Sequence, residues 1–294
     1  MTRSEEPFFS ILTPSYNRAT LLVDVFQSLV RQRFASFEWV IIDDGSTDGT
    51  AALVESWIDT EPDFEIKYIY KNNGGKKSAV DFGVPHLSGK LVIFLDSDDY
   101  LIDGALSRLK NFWLGFSSET RDSVFGFFCC LMSVDGKRVG GGVRFLLCTP
   151  PQDQYDERKK GDRLPVIKRE LLSLYRFPAF EGEKFVPEAY LWNELSLKYS
   201  CAFYSEPVCI CRYQADGLSS NSISLRRNNP KGVLLYYSKA SSVRFGLWNS
   251  FRACVNFYRF YFHSRVSSEL PKHPLRLLGL ALGWLIFVKD KYIL

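Results

Sequence analysis

Four short apolar runs, separated by stretches of helical period, occupy residues 8–110. "FFSILTPS", "FEWVIIDD", "EIKYIY" and "KLVIFLD" read as strands. "TLLVDVFQSLVRQ", with Thr20 as its expected N-cap, "TAALVESWIDT" and "SAVDFGVPHLSG", broken near Pro85 and Gly89, read as helices. Strands that alternate with helices predict a mainly parallel sheet covered on both faces, an α/β class. In such sheets a ligand sits at the carboxyl ends of the strands. Three of the runs end there in chemically able residues: Tyr16-Asn17-Arg18, Asp43-Asp44 and Asp96-Ser97-Asp98. That convergence says more than any one of the three.

The last of these, "VIFLDSDDY", sets Asp96, Asp98 and Asp99 directly behind a buried-looking strand. Like charges this close raise each other's pKa. A solvated acidic turn is the plainest reading. A calcium loop is excluded, because Leu101 stands where the required glycine would be. An aspartyl-nucleophile phosphatase also begins with a strand and two aspartates, but there the motif opens the domain. A site for Mg²⁺ or Mn²⁺ remains, since these ions take few protein carboxylates and fill their other positions with water and phosphate oxygens. "NNGGKKS" matches neither common glycine-rich phosphate loop. It reads either as a surface turn or as a loop that turns Lys76 or Lys77 toward an anion.

After Asp99 the alternation weakens. "DGALSRLKNFWLGF" predicts a helix, and "SVFGFFCCLMSVDGKRVGG" a hairpin with Asp135-Gly136 at its turn. The polar, Pro-flanked "TPPQDQYDERKKGDRLP" predicts a loop, "EKFVPEAYLWNELSLKYS" runs into a helix, and "CAFYSEPVCICRY" into strands. From about residue 231 the pattern is helical, aromatic and basic. The seven cysteines lack metal-ligand spacing and fit a reducing compartment, and the three histidines form no metal pattern.

Four ordered segments, "TPSYNR", "IIDDGSTDGT", "NNGGKKSAVDFG" and "SGKLVIFLDSDDYL", resemble the family 2 glycosyltransferases in order and spacing. The resemblance is strong over residues 8–110 and weaker through "EGEKFVPEAYLWNELSLKY" and "EPVCICRYQADGLS", to about 225. It implies a GT-A-like fold, a nucleotide-sugar donor, a divalent metal (Mn²⁺ or Mg²⁺) held by an Asp-x-Asp motif, and an inverting displacement. It further implies a donor-binding half over 1–112, an acceptor-binding half over 113–225, and a helical extension over 226–294. By the same resemblance Thr13 and Tyr16 belong to the donor site, with Tyr16 packing on the nucleobase unless it is a core aromatic. Asp44 looks like the base-reading carboxylate, suited to the ring N–H of uracil, whereas Asp43 reads better as a strand-end cap. Lys76 faces the anionic donor, Asp96 the ribose, and Asp98 the metal, with Asp99 behind them. Family members place the general base in a Glu-Asp pair at a helix start. Here that region reads Pro187-Glu188-Ala189, without the pair. Glu188 aligns with the base, Glu181 and Glu183 are close rivals, and a helix-start carboxylate held by the dipole is the plain alternative.

The expected activity is therefore transfer of a sugar from a nucleotide donor, UDP-linked on the reading of Asp44, to a growing cell-surface glycan or a lipid-linked acceptor. The phosphatase, and a nucleotide-sugar-binding module without catalysis, are the alternatives. Composition bears mainly on the tail. Residues 226–294 carry a balance of +10 in a chain of net charge +4. Residues 275–288 are apolar except for Arg276 and two glycines, too short a run to cross a bilayer upright. The tail is either a set of helices packed on the body or a peripheral contact with anionic headgroups. The N-terminus lacks a signal-like apolar core. The expected location is cytoplasmic, with membrane contact from the cytoplasmic face as the second reading. No nucleic-acid module is present.

Overall fold

The computed structural model describes residues 6–143, 146–212 and 222–292. Residues 1–5, part of the N-terminal reading, and 213–219, the end of the weaker resemblance, lie outside them. The chain divides into two compact units. One is Met1–Thr149, Asp156–Arg176 and Lys198–Arg212; the other is Pro150–Tyr155, Phe177–Leu197 and Tyr213–Leu294.

The first unit is built on a ten-stranded sheet. Its strands are β1 (Phe9–Ser15), β2 (Phe37–Asp43), β3 (Glu65–Tyr70), β4 (Leu91–Phe94), β5 (Tyr100–Leu101), β6 (Val124–Ser133), β7 (Arg138–Val139), β8 (Leu147–Cys148), β9 (Arg163–Lys168) and β10 (Ser200–Cys211). They follow the order β3-β2-β1-β4-β9-β6-β10-β5, with β7 on β6 and β8 on β10. The first four strands are parallel. Ser15 pairs with Asp43, Asp43 with Tyr70, and Leu12 with Phe94. Their carboxyl ends therefore share one edge, as the alternation predicts. The crossovers are α1 (Ala19–Val30), α2 (Thr50–Ile58) and α3 (Lys76–Gly83). Leu22, Val25 and Leu29 of α1 pack on Phe9, Ile11, Trp39 and Ile41. On α3, Gly83 lies so close to the sheet that a Cβ there would come within 2.7 Å of Leu12 Cδ1 and 2.9 Å of Ile42 Cγ1.

Glu38, at the opposite edge of the sheet, is almost fully buried. Its carboxylate accepts from Lys67 Nζ at 2.6 Å, from the Ser88 N–H and Oγ at 2.6 and 2.7 Å, and from the Ser10 hydroxyl. A buried charge is tolerable only when so satisfied, and the cluster pins β1, β2, β3 and the entry to β4 together.

Beyond β4 the sheet becomes mixed. β9 is antiparallel to both β4 and β6, β10 runs parallel to β6 with register shifts at Pro207, and β5 is antiparallel to β10. Helices α4 (Ala105–Leu114) and α5 (Ser118–Ser123) precede β6. The hairpin turns at Asp135-Gly136 as expected: the Ser133 N–H donates to Lys137 O, and Gly136 has φ +79°. The segment expected as a loop is instead α6 (Pro151–Arg158) followed by β9, then α7 (Arg169–Leu174). Proline in the first helical turn loses no hydrogen bond, so "TPP" starts a helix rather than breaking one. Helix α1 also differs at its start. It begins at Ala19, and Asp48 accepts the Ala19 N–H at 3.1 Å, so the cap comes from the β2–α2 loop and not from Thr20.

The second unit holds α8 (Ala189–Ser196), α9 (Ser222–Arg227), α10 (Pro230–Ala240), α11 (Leu247–Ser264) and α12 (Arg276–Tyr292). Val233, Leu234, Cys254, Phe257 and Phe260 form its core. Helices α11 and α12 run in the same direction, Gly279 against Cys254, Gly283 against Tyr258 and Phe287 against Phe262. A Cβ on either glycine would fall 2.6–2.7 Å from its neighbour, so only glycine permits this approach. Asp290 locks the far end: it is buried, accepts from Arg259 Nε and Nη2 at 2.5 and 2.8 Å, and lies 3.3 Å from His263.

Candidate active site

The shared edge of the parallel strands collects the polar residues. At the end of β1, Thr13 is buried and its hydroxyl accepts from Trp39 Nε1 at 3.0 Å. Tyr16, two residues past Pro14, is half exposed, at 49%. Asn17 has φ +51°, a left-handed conformation that asparagine tolerates. It ties this loop to the next: its N–H donates to Ser46 Oγ and its side-chain oxygen accepts from the Thr47 N–H, each at 2.8 Å.

At the end of β2 the two aspartates part company. Asp43 accepts from the Ser46 N–H at 2.7 Å and from the Tyr68 hydroxyl, so it caps the strand end. Asp44, also buried, holds the glycine loop: Lys71 Nζ and the Gly74 N–H donate to Oδ1 at 2.7 and 2.9 Å, and the Gly75 N–H donates to Oδ2 at 2.7 Å. Gly45 and Gly75, both at φ +87°, allow the two loops to meet. The glycine loop then delivers Lys76, at the start of α3, to within 2.6 Å of the Asp96 carboxylate, while Lys77 is buried.

At the end of β4, Asp96, Asp98 and Asp99 gather within one turn, closed by the Asp99 N–H donating to Asp96 O at 3.1 Å. Burial, then the Asp96 charge, pushes Asp98 above the usual carboxylate range. Burial and the charges of Asp96 and Asp98 push Asp99 up to about 8. Carboxylates crowded in this way suit a cation, whose charge would offset their mutual repulsion. Among the described residues, no three or more His, Cys, Asp or Glu side chains converge to hold a metal ion by themselves. The donor set fits an ion of the Mg²⁺ or Mn²⁺ kind, which takes one or two carboxylates and completes its shell with substrate phosphate oxygens.

Three members of this constellation carry no short-range signal in the sequence. Lys71 earns its place only through Asp44. Arg212, after β10, donates its N–H to Asp99 at 3.2 Å, pairs through its guanidinium with Asp24 of α1, and lies 4.8 Å over the Tyr100 ring. Asp24 is an ordinary exposed-face residue until β10 reaches it, 188 positions later in the chain.

The candidate bases belong to the second unit. Glu188 is the residue before α8, and its carbonyl accepts from the Leu191 N–H at 3.0 Å. Glu183 accepts from the Lys231 and Gly232 N–H groups at 2.7 and 2.9 Å, and so caps α10. Glu181 is exposed.

Residues 10–116 match the model of a family described as "Glycosyl transferase family 2". A GalNAc(5)-diNAcBac-PP-undecaprenol beta-1,3-glucosyltransferase of Campylobacter jejuni is 31% identical over 195 residues, 64% of this chain and 60% of that relative. The putative teichuronic acid biosynthesis glycosyltransferase TuaG of Bacillus subtilis is 27% identical over 224 residues, 74% of this chain and 82% of that one. The present chain thus spans about six tenths of the Campylobacter protein's length. Among solved structures, S. aureus TarS 1–349 in complex with UDP-GlcNAc is similar with a TM-score of 0.62 at 19% identity, covering 96% of this chain and 80% of that one. The mannosyltransferase PcManGT from Pyrobaculum calidifontis, in complex with GDP-Man and Mn²⁺, gives 0.57 at 18% identity, covering 99% and 88%. These likenesses identify the fold as GT-A-like, an α/β sheet flanked by helices and followed by a helical region.

Proposed function

Since the chain belongs to glycosyltransferase family 2, we propose that it transfers a sugar from a nucleotide donor to a cell-surface glycan or its lipid-linked precursor, with inversion at the anomeric carbon. The observation that carries this reading is the single edge on which Tyr16, Asp44, Lys76 and Asp96–Asp99 assemble through bonds between consecutive loops.

In this reading the donor half is 1–112 and the acceptor half 113–225. Thr13 shapes the floor of the donor site through Trp39, and the exposed Tyr16 ring stacks on the base. Asp44 orders the glycine loop and has one lone pair left on Oδ2, enough to accept a uracil N–H. UDP is the donor nucleotide we favour, in keeping with the UDP-GlcNAc bound by TarS. Asp96 accepts from the ribose hydroxyls, and Lys76 leans from Asp96 toward the diphosphate. Asp98, backed by Asp99, would hold Mn²⁺ or Mg²⁺, and the chemistry such an ion supplies is charge neutralisation on the departing diphosphate. Glu188 takes the proton of the acceptor hydroxyl as its oxygen bonds to the anomeric carbon and the sugar–phosphate bond breaks. Glu183 caps α10, and Glu188, at the start of α8, is the base in this reading because it aligns with the family's base position.

Residues 226–294 make peripheral contact with the cytoplasmic face of the membrane in this reading, where a lipid-linked acceptor is found. No helix among the described residues is long and apolar enough to cross a membrane. The test is turnover: a panel of UDP- and GDP-sugars with Mn²⁺ and lipid-linked acceptors, read as nucleotide release coupled to glycan growth. Release of nucleotide only with an acceptor present supports the reading. Absence of transfer from every donor, with phosphate release from simple esters instead, would replace it by the phosphatase.

A further inference from the structure

Helix α12 is apolar on the side turned away from α11 as well as on the side that packs on it, where Leu280 and Phe287 lie. Gly279, Gly283 and Asp290 face α11. At 3.6 residues per turn the opposite side carries Leu277, Ala281, Trp284, Leu285 and Val288, with Leu278 beside them. Leu277 is 75% exposed, Leu285 55%, Leu278 51% and Trp284 49%. The face cannot turn inward. Two glycines at van der Waals limits and the Arg259–Asp290 pair fix the rotation of the helix about its axis.

The patch continues at the helix start. His273 is held against Leu247 O at 3.3 Å and against the Phe251 ring, so the exposed Leu247 and Trp248 lie at the same end as Leu275. Basic residues flank it. Arg244, Arg252, Arg276, Lys289 and Lys291 are all exposed on the same two helices or their approach. The seventeen residues of α12 extend about 25 Å, long enough to lie along an interface.

We propose that this outer face of α12, with Leu247–Trp248, docks on an anionic lipid surface, its leucines and Trp284 entering the headgroup boundary and its Lys and Arg residues meeting lipid phosphates. Charge decides the occupant. A second copy of the chain would bring another +10 segment against this one, whereas an anionic bilayer offers both apolar depth and the opposite sign. The inference deepens the peripheral contact proposed above and rests on that reading for its biological setting, but not on the transfer chemistry.

Co-sedimentation of the full chain with vesicles of phosphatidylcholine alone, or mixed with phosphatidylglycerol, tests it. Binding is expected to the mixed vesicles and to weaken with salt. The variant Leu277→Gln/Trp284→Gln/Leu285→Gln should bind them about tenfold or more weakly, since each loss removes interfacial apolar area. Lys289→Glu/Lys291→Glu should act in the same direction and reduce the salt dependence. Both variants change exposed residues, so their melting temperatures should match the parent. A UDP-induced thermal shift retained in the same samples shows the donor site intact, so that a failure of docking is not confused with a failure of the transferase reading. Vesicle binding unchanged in the apolar variant would overturn the proposal. So would a dimer of the parent chain that the apolar variant dissolves while neither binds vesicles.

Discussion

Asp44 is the residue on which the glycine loop turns. Its carboxylate holds Lys71, Gly74 and Gly75 while buried, so Asp44→Ala removes more than a ligand contact. It leaves the mostly buried Lys71 ammonium with the Asn72 carbonyl and strands two N–H groups, at a cost of about 1–3 kcal/mol. A lowered urea midpoint should accompany weakened UDP binding; a loss of UDP affinity at unchanged stability would mean that the loop is held by something else. For Glu188→Gln the split is different. The amide keeps the size but cannot take a proton, so transfer should fall by about 10²–10⁴-fold with UDP affinity unchanged in titration. If Glu188→Gln keeps more than about a tenth of the parent rate, the base is another residue, and Glu181→Gln is the next variant to assay. At this scale the sequence shows which residues can act, because Tyr16, Asp44 and Asp96–Asp99 stand at the ends of legible strands. It does not show what they touch. Thr13 is taken by an indole, Asp43 by a turn, Glu183 by a helix start, and each of those partners is a product of folding.

Among the elements, α3 would couple stability to the proposed donor site. Gly83 seats one end of the helix on Leu12 and Ile42, while Lys76 at the other end reaches Asp96. Gly83→Ala should cost about 1–3 kcal/mol by overpacking, read from chemical denaturation, and should weaken UDP binding as Lys76 shifts. Stability lost with donor affinity intact would separate the two ends. At the other edge of the sheet, burial would raise Glu38, but bonds from Lys67, Ser10 and Ser88 outweigh it and hold the group below its ordinary 4.5. The folded state thus binds this proton more weakly than the unfolded chain. The stabilisation is complete above about pH 4.5 and is lost as pH falls below that, through the folded value. The Glu38→Gln protein should be less stable at neutral pH and lose less on acidification; an equal acid loss in both would assign that loss to other carboxylates. The early elements are legible because each is a short apolar run or a stretch of helical period bounded by turn residues. β9 is not: it contains Pro165 and follows the polar stretch 152–162, and a proline within a run suppresses the strand signal. The bulges of β10 at Pro207 have the same origin.

Over the whole molecule, charge is divided: the body gathers carboxylates at a sheet edge, and the tail carries the basic residues with the outward apolar helix. In the proposed reading the first would meet phosphate through a cation and the second a lipid surface. The sequence reports the charge balance and the apolar stretch of 275–288 directly. It does not report which side of that stretch faces out, because the inward side is defined by two glycines and an aspartate whose partners lie on α11. The central claim, that the Asp96–Asp99 turn grips a nucleotide diphosphate with a divalent cation, is tested most directly by calorimetric titration of UDP into the parent chain and into Asp98→Ala, each with Mn²⁺ and with EDTA. Binding by the parent should depend on Mn²⁺ and be weaker by roughly tenfold to a hundredfold in Asp98→Ala, the worth of a charge-assisted contact, with the Mn²⁺ dependence gone. Equal affinity in both proteins, with and without Mn²⁺, would contradict it.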